Sequence, residues 1–228
     1  DSCLVGSEMC IRDRKIIYIE FLKLKTKARS WMGPILVFWL ILIAYPLTVE
    51  FLKEKLVIGF FSVLWIAILI SMMFAAEDIF TEDYNDGTLE QTMIVNSSFS
   101  LIVGVKIFIY WLFIGIPISL LSFIFSLGTS ENLIISLLVL PMSMISSYIF
   151  LNIFVLGNAL SLNKGSVLGA IVTMPLALPV LIVLGKSVSA IQLELNFTGF
   201  IFLLLGSLSI IIVIVPTVIS YIIKAHLE

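Results

Sequence analysis

Six stretches of this chain hold no charged residue, and none is shorter than 20 residues: 30–49, 56–76, 107–130, 132–163, 165–185 and 195–223. An α-helix rises 1.5 Å per residue, so about 20 apolar residues cross the ~30 Å hydrocarbon core of a bilayer. Each run suffices for one crossing, and the chain reads as an all-α integral membrane protein with six transmembrane helices. A membrane barrel would need shorter strands alternating apolar and polar residues, and the runs show no such alternation. Composition points the same way: 61 % of residues are apolar and 12 % charged, too few charges to coat a soluble fold.

The segments between the runs are therefore informative. Residues 77–91, E-D-I-F-T-E-D-Y-N-D-G-T-L-E-Q, contain six acidic side chains, Glu77, Asp78, Glu82, Asp83, Asp86 and Glu90, of fifteen in the chain. Such a stretch belongs in water. Asp86-Gly87 is a turn signal, and Thr88-Leu89-Glu90-Gln91 has the form of a capping box, with the Thr88 hydroxyl on the Gln91 amide and the Gln91 side chain reaching back. Asp86 and Glu90 complement the helix dipole at that end. The expectation is an extension of the second span beyond the membrane, a turn at Gly87, and a short helix from Leu89 toward Ile94. A plain solvated acidic hairpin is the alternative.

At the N-terminus, Cys3 and Cys10 lie in D-S-C-L-V-G-S-E-M-C-I-R-D-R, which has no pattern continuous with the rest of the chain. Residues 1–14 read as a non-native segment resembling translated adapter sequence, or as a disordered tail, and a Cys-x6-Cys pair carries no metal or redox argument. Residues 15–228 read as one six-helix transmembrane domain with its main loop at 77–100. In Lys15–Arg29, the apolar Ile17, Phe21, Leu24 and Ala28 recur at helical spacing. This predicts a basic amphipathic helix in the membrane interface, its lysines toward headgroups, or else a basic flank that only sets topology. Trp31 suits a headgroup-level anchor.

With the N-terminus inside, Lys15, Lys23, Lys25, Lys27, Arg29, Lys106, Lys164 and Lys224 fall on the cytoplasmic side and only Lys53, Lys55 and Lys186 opposite. The positive-inside rule then puts both termini in the cytoplasm. The loop at 77–106 becomes cytoplasmic, and the external loops are too short to hold a domain.

Gly115 and Pro117 interrupt the third span, Pro141 the fourth, Pro175 and Pro179 the fifth, and Pro216 the sixth. Membrane helices tolerate proline because neighbours re-satisfy the freed carbonyls. Pro175 and Pro179 remove ladder bonds one turn apart and suit either a hinge or a static kink. Gly165 and Gly169 make a small-xxx-small face for close helix approach.

Chemistry is sparse. No ionisable group falls inside the charge-free runs, where ion-coupled transporters place their coupling charge. Asn152, Asn158 and Asn163 could line a path or bond between helices. There is no P-loop, metalloprotease helix, nucleophile elbow or dinucleotide fingerprint. The lone His226 sits three residues from the end of the sequence and offers little with which to hold haem iron. The chain reads as neither an enzyme nor a nucleic-acid binder; energy, if used, comes from another subunit.

The segment Glu77–Gln91 resembles the first cytoplasmic loop of the cytochrome c maturation protein B family, also called haem exporter protein B, a branch of the ABC-2 type permeases. Loops of that larger group commonly run from acidic residues into Gly-Thr-Leu-Glu, here Gly87 to Glu90. The resemblance extends through Leu162-Asn163-Lys164-Gly165-Ser166-Val167-Leu168 into Pro175-Leu176-Ala177-Leu178-Pro179, and through Gly115-Ile116-Pro117. It covers residues 15–223, departing at Thr92 and Met93, where a more apolar turn is expected. It implies an inner-membrane permease subunit of an ABC complex that handles haem in cytochrome c biogenesis. The partners implied are a cytoplasmic ABC ATPase, haem-handling membrane subunits, a second permease copy and membrane lipid. Haem would be cargo of the complex, with no cofactor assigned to this chain. The same resemblance makes Glu77, Asp78, Asp83, Asp86, Gly87, Thr88, Leu89, Glu90 and Gln91 the ATPase-coupling residues and Lys15–Arg29 the adjoining elbow helix. An ABC-2 permease for a lipid, drug or polysaccharide, and a non-transporting scaffold for the ATPase, remain the competing readings.

Overall fold

The computed structural model describes residues 20–24, 26–48, 53–95, 99–129, 133–162, 166–193, 196 and 198–227. Among them are seven helices: α1 (Ala28–Thr48), α2 (Lys53–Asn85), α3 (Thr88–Val95), α4 (Phe99–Thr129), α5 (Leu133–Leu160), α6 (Ser166–Gln192) and α7 (Thr198–Leu227). Residues 20–24 and 26 are also helical, and Lys27 separates them from α1. Every helix but α3 is long and apolar enough to cross a membrane, so the expected six-span all-helical membrane architecture is observed. Residues 1–19, the tail and the first five residues of the interfacial segment included, lie outside the described residues, as do Lys25, Asn163, Lys164 and Gly165.

Several helix boundaries differ from the charge-free runs, three of them at the polar segments. Helix α2 continues past Ala76 for nine more residues, because Glu77–Asn85 contains no Gly or Pro to stop it. Helix α4 starts at Phe99, which puts Lys106 two turns inside a candidate span rather than in a loop. Helix α6 likewise runs on through Lys186, which is exposed. Lys106 is buried and paired with a carboxylate from α2, a setting that the charge-free runs do not indicate.

Helices α2 and α5 are the most buried and α1 and α7 the least. α5 sits centrally, packing on α2, α4, α6 and α7. An apolar interior holds Phe38, Leu64, Trp65, Ile68, Met72, Ile107, Ile114, Phe150 and Phe154. Lipid tails are as apolar as these side chains, so association depends on close packing and interhelical hydrogen bonds. The α4–α5 seam is lined with fully buried small residues, Ser119, Ser122 and Ser126 facing the partner helix's Ser136, Ser143, Ser146 and Ser147. Most return their hydroxyls to a carbonyl of their own helix, as Ser119 does to Gly115 O at 2.7 Å. Bonds that cross the seam include Ser126 Oγ to Ser136 Oγ at 3.2 Å and Trp111 Nε1 to Ser147 Oγ at 3.0 Å.

Helices α5 and α6 approach each other closely at Gly157 and Gly169. A Cβ on Gly157 would meet Gly169 O at 2.5 Å, and one on Gly169 would strike the Gly157 carbonyl. The small residue that matters opposite Gly169 is thus Gly157, which the Gly165/Gly169 spacing does not indicate.

Candidate functional site

The acidic stretch folds as three parts. Its first nine residues complete α2; Asp86 and Gly87 turn; Thr88 onward form α3. Gly87 has φ +69°, the left-handed region where a Cβ costs roughly 1–2 kcal/mol. Such a glycine closes helix C-termini by returning amides to the last carbonyls, and here Asp86 N donates to Glu82 O at 2.9 Å and Gly87 N to Tyr84 O at 3.3 Å.

The turn and the short helix are as expected; the capping box is not. The Thr88 hydroxyl donates backward to Asp83 O at 3.1 Å, while the Gln91 amide bonds to Gly87 O at 3.4 Å. Because α3 follows α2 after only two residues, the unsatisfied carbonyls of α2 lie nearer to Thr88 than the first amides of its own helix. Thr88 therefore ties α3 to the end of α2.

The nine loop residues divide by environment. Glu77, Asp78, Asp86, Glu90 and Gln91 are exposed. Leu89 is 5 % exposed and belongs to the hydrophobic core, so it anchors α3 to the bundle. Asp83 is half-buried at the centre of an ion cluster. One carboxylate oxygen binds the ammonium of Lys106 from α4 and the other lies 3.4 Å from Lys23 Nζ. Lys27 pairs with Glu82 one residue earlier. The Phe80 ring lies under Lys106 Nζ, 5.3 Å to its centroid, close enough for a cation–π attraction.

Lys23 and Lys27 thus point at the end of α2, where an interfacial helix was expected to turn them toward headgroups. Burial pushes the Lys23 pKa down, but the Asp83, Glu20 and Glu82 carboxylates outweigh it and hold the ammonium above its ordinary value. Phe21, from the same segment, packs on Phe113 of α4 with centroids 4.9 Å apart, and Leu24 is fully buried. Trp31 is partly buried and packed against the core, its ring N–H buried and unbonded among the described residues.

One residue deeper in the bundle braces this end. Asn158 of α5 donates its amide to Ala76 O at 2.8 Å and Glu77 O at 2.9 Å, clamping α2 where it passes from apolar to acidic sequence. Of the three asparagines singled out, Asn158 makes the interhelical bond; Asn152 donates to Tyr148 O of its own helix. Neither Lys106 nor Asn158 stood out as part of this site, because their partners lie 23 and 81 or more residues away.

Pro175 and Pro179 are both exposed on α6, which remains helical through them. They take no part in the cluster. His226 Nδ1 lies 2.9 Å from Ile222 O, and no group of three or more candidate metal ligands occurs among the described residues.

Comparison with known proteins bears on the whole chain. It is 28 % identical over 194 residues to heme exporter protein B of Haemophilus influenzae, covering 81 % of this chain and 86 % of that protein. With heme exporter protein B of Pseudomonas aeruginosa the identity is 27 % over 193 residues, covering 82 % and 85 %. For the Escherichia coli protein of the same name it is 24 % over 174 residues, 75 % and 79 %. The model of the CcmB protein family matches residues 14–226, from just ahead of the ion cluster to the end of α7. The chain belongs to the CcmB protein family.

Proposed function

We propose that this chain is the membrane permease subunit of an ABC haem exporter of the bacterial inner membrane, serving cytochrome c biogenesis. Separate subunits supply ATP hydrolysis and haem handling, and a second permease copy completes the membrane unit. The observation that carries the reading is the family match across all six spans, with relatives named heme exporter protein B.

In this reading the cytoplasmic ATPase docks on the α2–α3 turn. The exposed Glu77, Asp78, Asp86, Glu90 and Gln91 form the contact surface, while Asp83, Gly87, Thr88 and Leu89 hold its shape. Support comes from the chemistry of the turn: a rigid, charge-dense tip on a helix that enters the membrane bundle directly. The excess of Lys and Arg on the same side of the spans supports cytoplasmic termini. Pro175 and Pro179 form the hinge of α6, two successive breaks in its ladder on a lipid-exposed face.

The test is a strain deleted for its own copy of this subunit and complemented with this chain, scored for covalent haem in c-type cytochromes. Restored haem attachment is expected, with the ATPase recovered on affinity purification of this chain; no restoration at matched expression overturns the reading. Haem flux measured in vesicles holding the whole complex separates transport from scaffolding. Normal maturation by Pro175→Ala/Pro179→Ala would reduce the hinge to a static kink.

A further inference from the structure

We propose that Lys106 is the positioning residue that joins α4 to the α2–α3 turn, because its ammonium is buried in the bundle and held by Asp83, the residue to which Thr88 anchors α3. The proposal rests on the reading of that turn as the ATPase docking surface.

Two contacts make one unbroken path from the turn to α4. The Thr88 hydroxyl bonds to the Asp83 carbonyl, fixing the start of α3 to the last turn of α2. The Asp83 carboxylate binds Lys106. Lys106 is part of α4, which runs on for 23 residues to Thr129. A displacement of the turn reaches α4 through side chains that have no slack.

Burial separates this joint from its neighbours. Lys106 is 5 % exposed, so water cannot replace Asp83 as its counter-charge. The Lys23 and Lys27 side chains are 42 % and 40 % exposed, and such pairs are weakened by salt and solvent. The Phe80 ring, one turn before Asp83, closes the apolar side of the Lys106 site. The ammonium is therefore lodged between two α2 side chains and moves with that helix.

A mere folding staple would hold the two helices together without affecting how hydrolysis is used. The experiment compares the whole complex, permease with its ATPase, carrying wild-type chain, Lys106→Arg, Lys106→Met, or the double variant Asp83→Asn/Lys106→Met. The double variant removes both charges and leaves neither buried alone. Readouts are ATPase recovered with the permease, ATP hydrolysed, and covalent haem delivered to c-type cytochromes.

The expected result for the double variant is at least a tenfold fall in haem delivered per ATP hydrolysed by the ATPase that is recovered with it. Lys106→Arg, which keeps the charge, should restore most of that ratio. A double variant that purifies monodisperse and delivers haem at the wild-type ratio overturns the proposal. Should the double variant fail to fold, Lys106→Gln takes its place, its neutral and shorter side chain losing the ion pair with Asp83 while staying polar, and an unchanged ratio in that variant overturns the proposal equally. Failure of the wild-type chain to recover any ATPase would instead refute the docking reading.

Discussion

Replacing Gly157 by Ala puts one methyl group into the α5–α6 crossing, and the structure fixes what that methyl meets. The new Cβ would stand 2.5 Å from Gly169 O, 2.6 Å from Thr173 Oγ1 and 2.8 Å from Thr173 Cγ2. Ordinary contact begins at 3.4 Å, so the carbonyl is too close by 0.9 Å. Neither obstacle yields readily: one is main chain, and Thr173 is pinned by its own hydroxyl bond to Gly169 O at 2.9 Å. The helices must part, which loosens dispersion contacts along the whole crossing. Overpacking of this kind costs about 1–3 kcal/mol, and a backbone obstacle argues for the upper half. Against it stands a gain of about 1 kcal/mol from placing Ala where Gly was in a helix. The net expectation is a loss of about 1–2 kcal/mol, or roughly 5- to 30-fold in the folded-to-unfolded ratio. Gly185 and Gly206 are the controls, since a Cβ on either meets nothing within 4 Å; Ala there should be neutral or stabilising by up to about 1 kcal/mol. The measurement is reversible unfolding in mixed micelles by detergent titration, followed by tryptophan fluorescence. If Gly157→Ala unfolds at or above the midpoint of Gly206→Ala, the close approach does not constrain this position and the predicted loss is refuted.

Asn158→Leu should cost about 1–2 kcal/mol in the same assay by removing two interhelical bonds at roughly 0.6 kcal/mol each in a membrane, plus the poorer fit of the branched side chain; a wild-type midpoint would exclude the clamp. Gly87→Val forces a β-branched residue to φ +69° and should lose about 2 kcal/mol or more of turn stability, with ATPase recovery falling in step. Gly87→Asn tolerates that conformation and should keep most of the recovery; equal recovery for both variants would show that docking does not depend on the turn. The pKa of Lys23 is raised in the folded chain, so its contribution is complete below about pH 10.5 and fades as pH rises through the higher folded value. Stability should therefore show no Lys23-dependent change between about pH 7 and 9, and a difference in slope there between wild type and Lys23→Gln would contradict the assignment.

The spans were legible because charge is costly in hydrocarbon and the runs without it match the bilayer thickness. The turn at Gly87 and the helix after it were legible for a local reason, a dipeptide signal followed by helix formers. Legibility ended where the partner is distant in sequence. Lys106 stands at the edge of an apolar run and reads as a loop charge until Asp83 is seen beside it. Thr88 has the spacing of a cap, but the end of α2 competes for its hydroxyl more closely than any amide of α3. Gly157 is one glycine in an apolar helix, and only the carbonyl of Gly169 explains why nothing larger stands there. Leu89 has acidic and polar neighbours in the motif, and its burial depends on the hydrophobic core around it, which the local sequence does not show.

The length of α2 has a mechanical consequence. Its 33 residues make a rod about 50 Å long, well over the ~30 Å of hydrocarbon. Asn158 grips it at Ala76 and Glu77, about 14 Å from the end at Asn85 and about 35 Å from the end at Lys53. If that grip stays fixed while the rod tilts, the two arms form an unequal lever. A sideways push of about 2 Å at the Gly87 turn then swings the far end by about 5 Å, roughly the width of one helical turn. A small motion on one face of the membrane becomes a larger one on the other, with the fulcrum at a single asparagine.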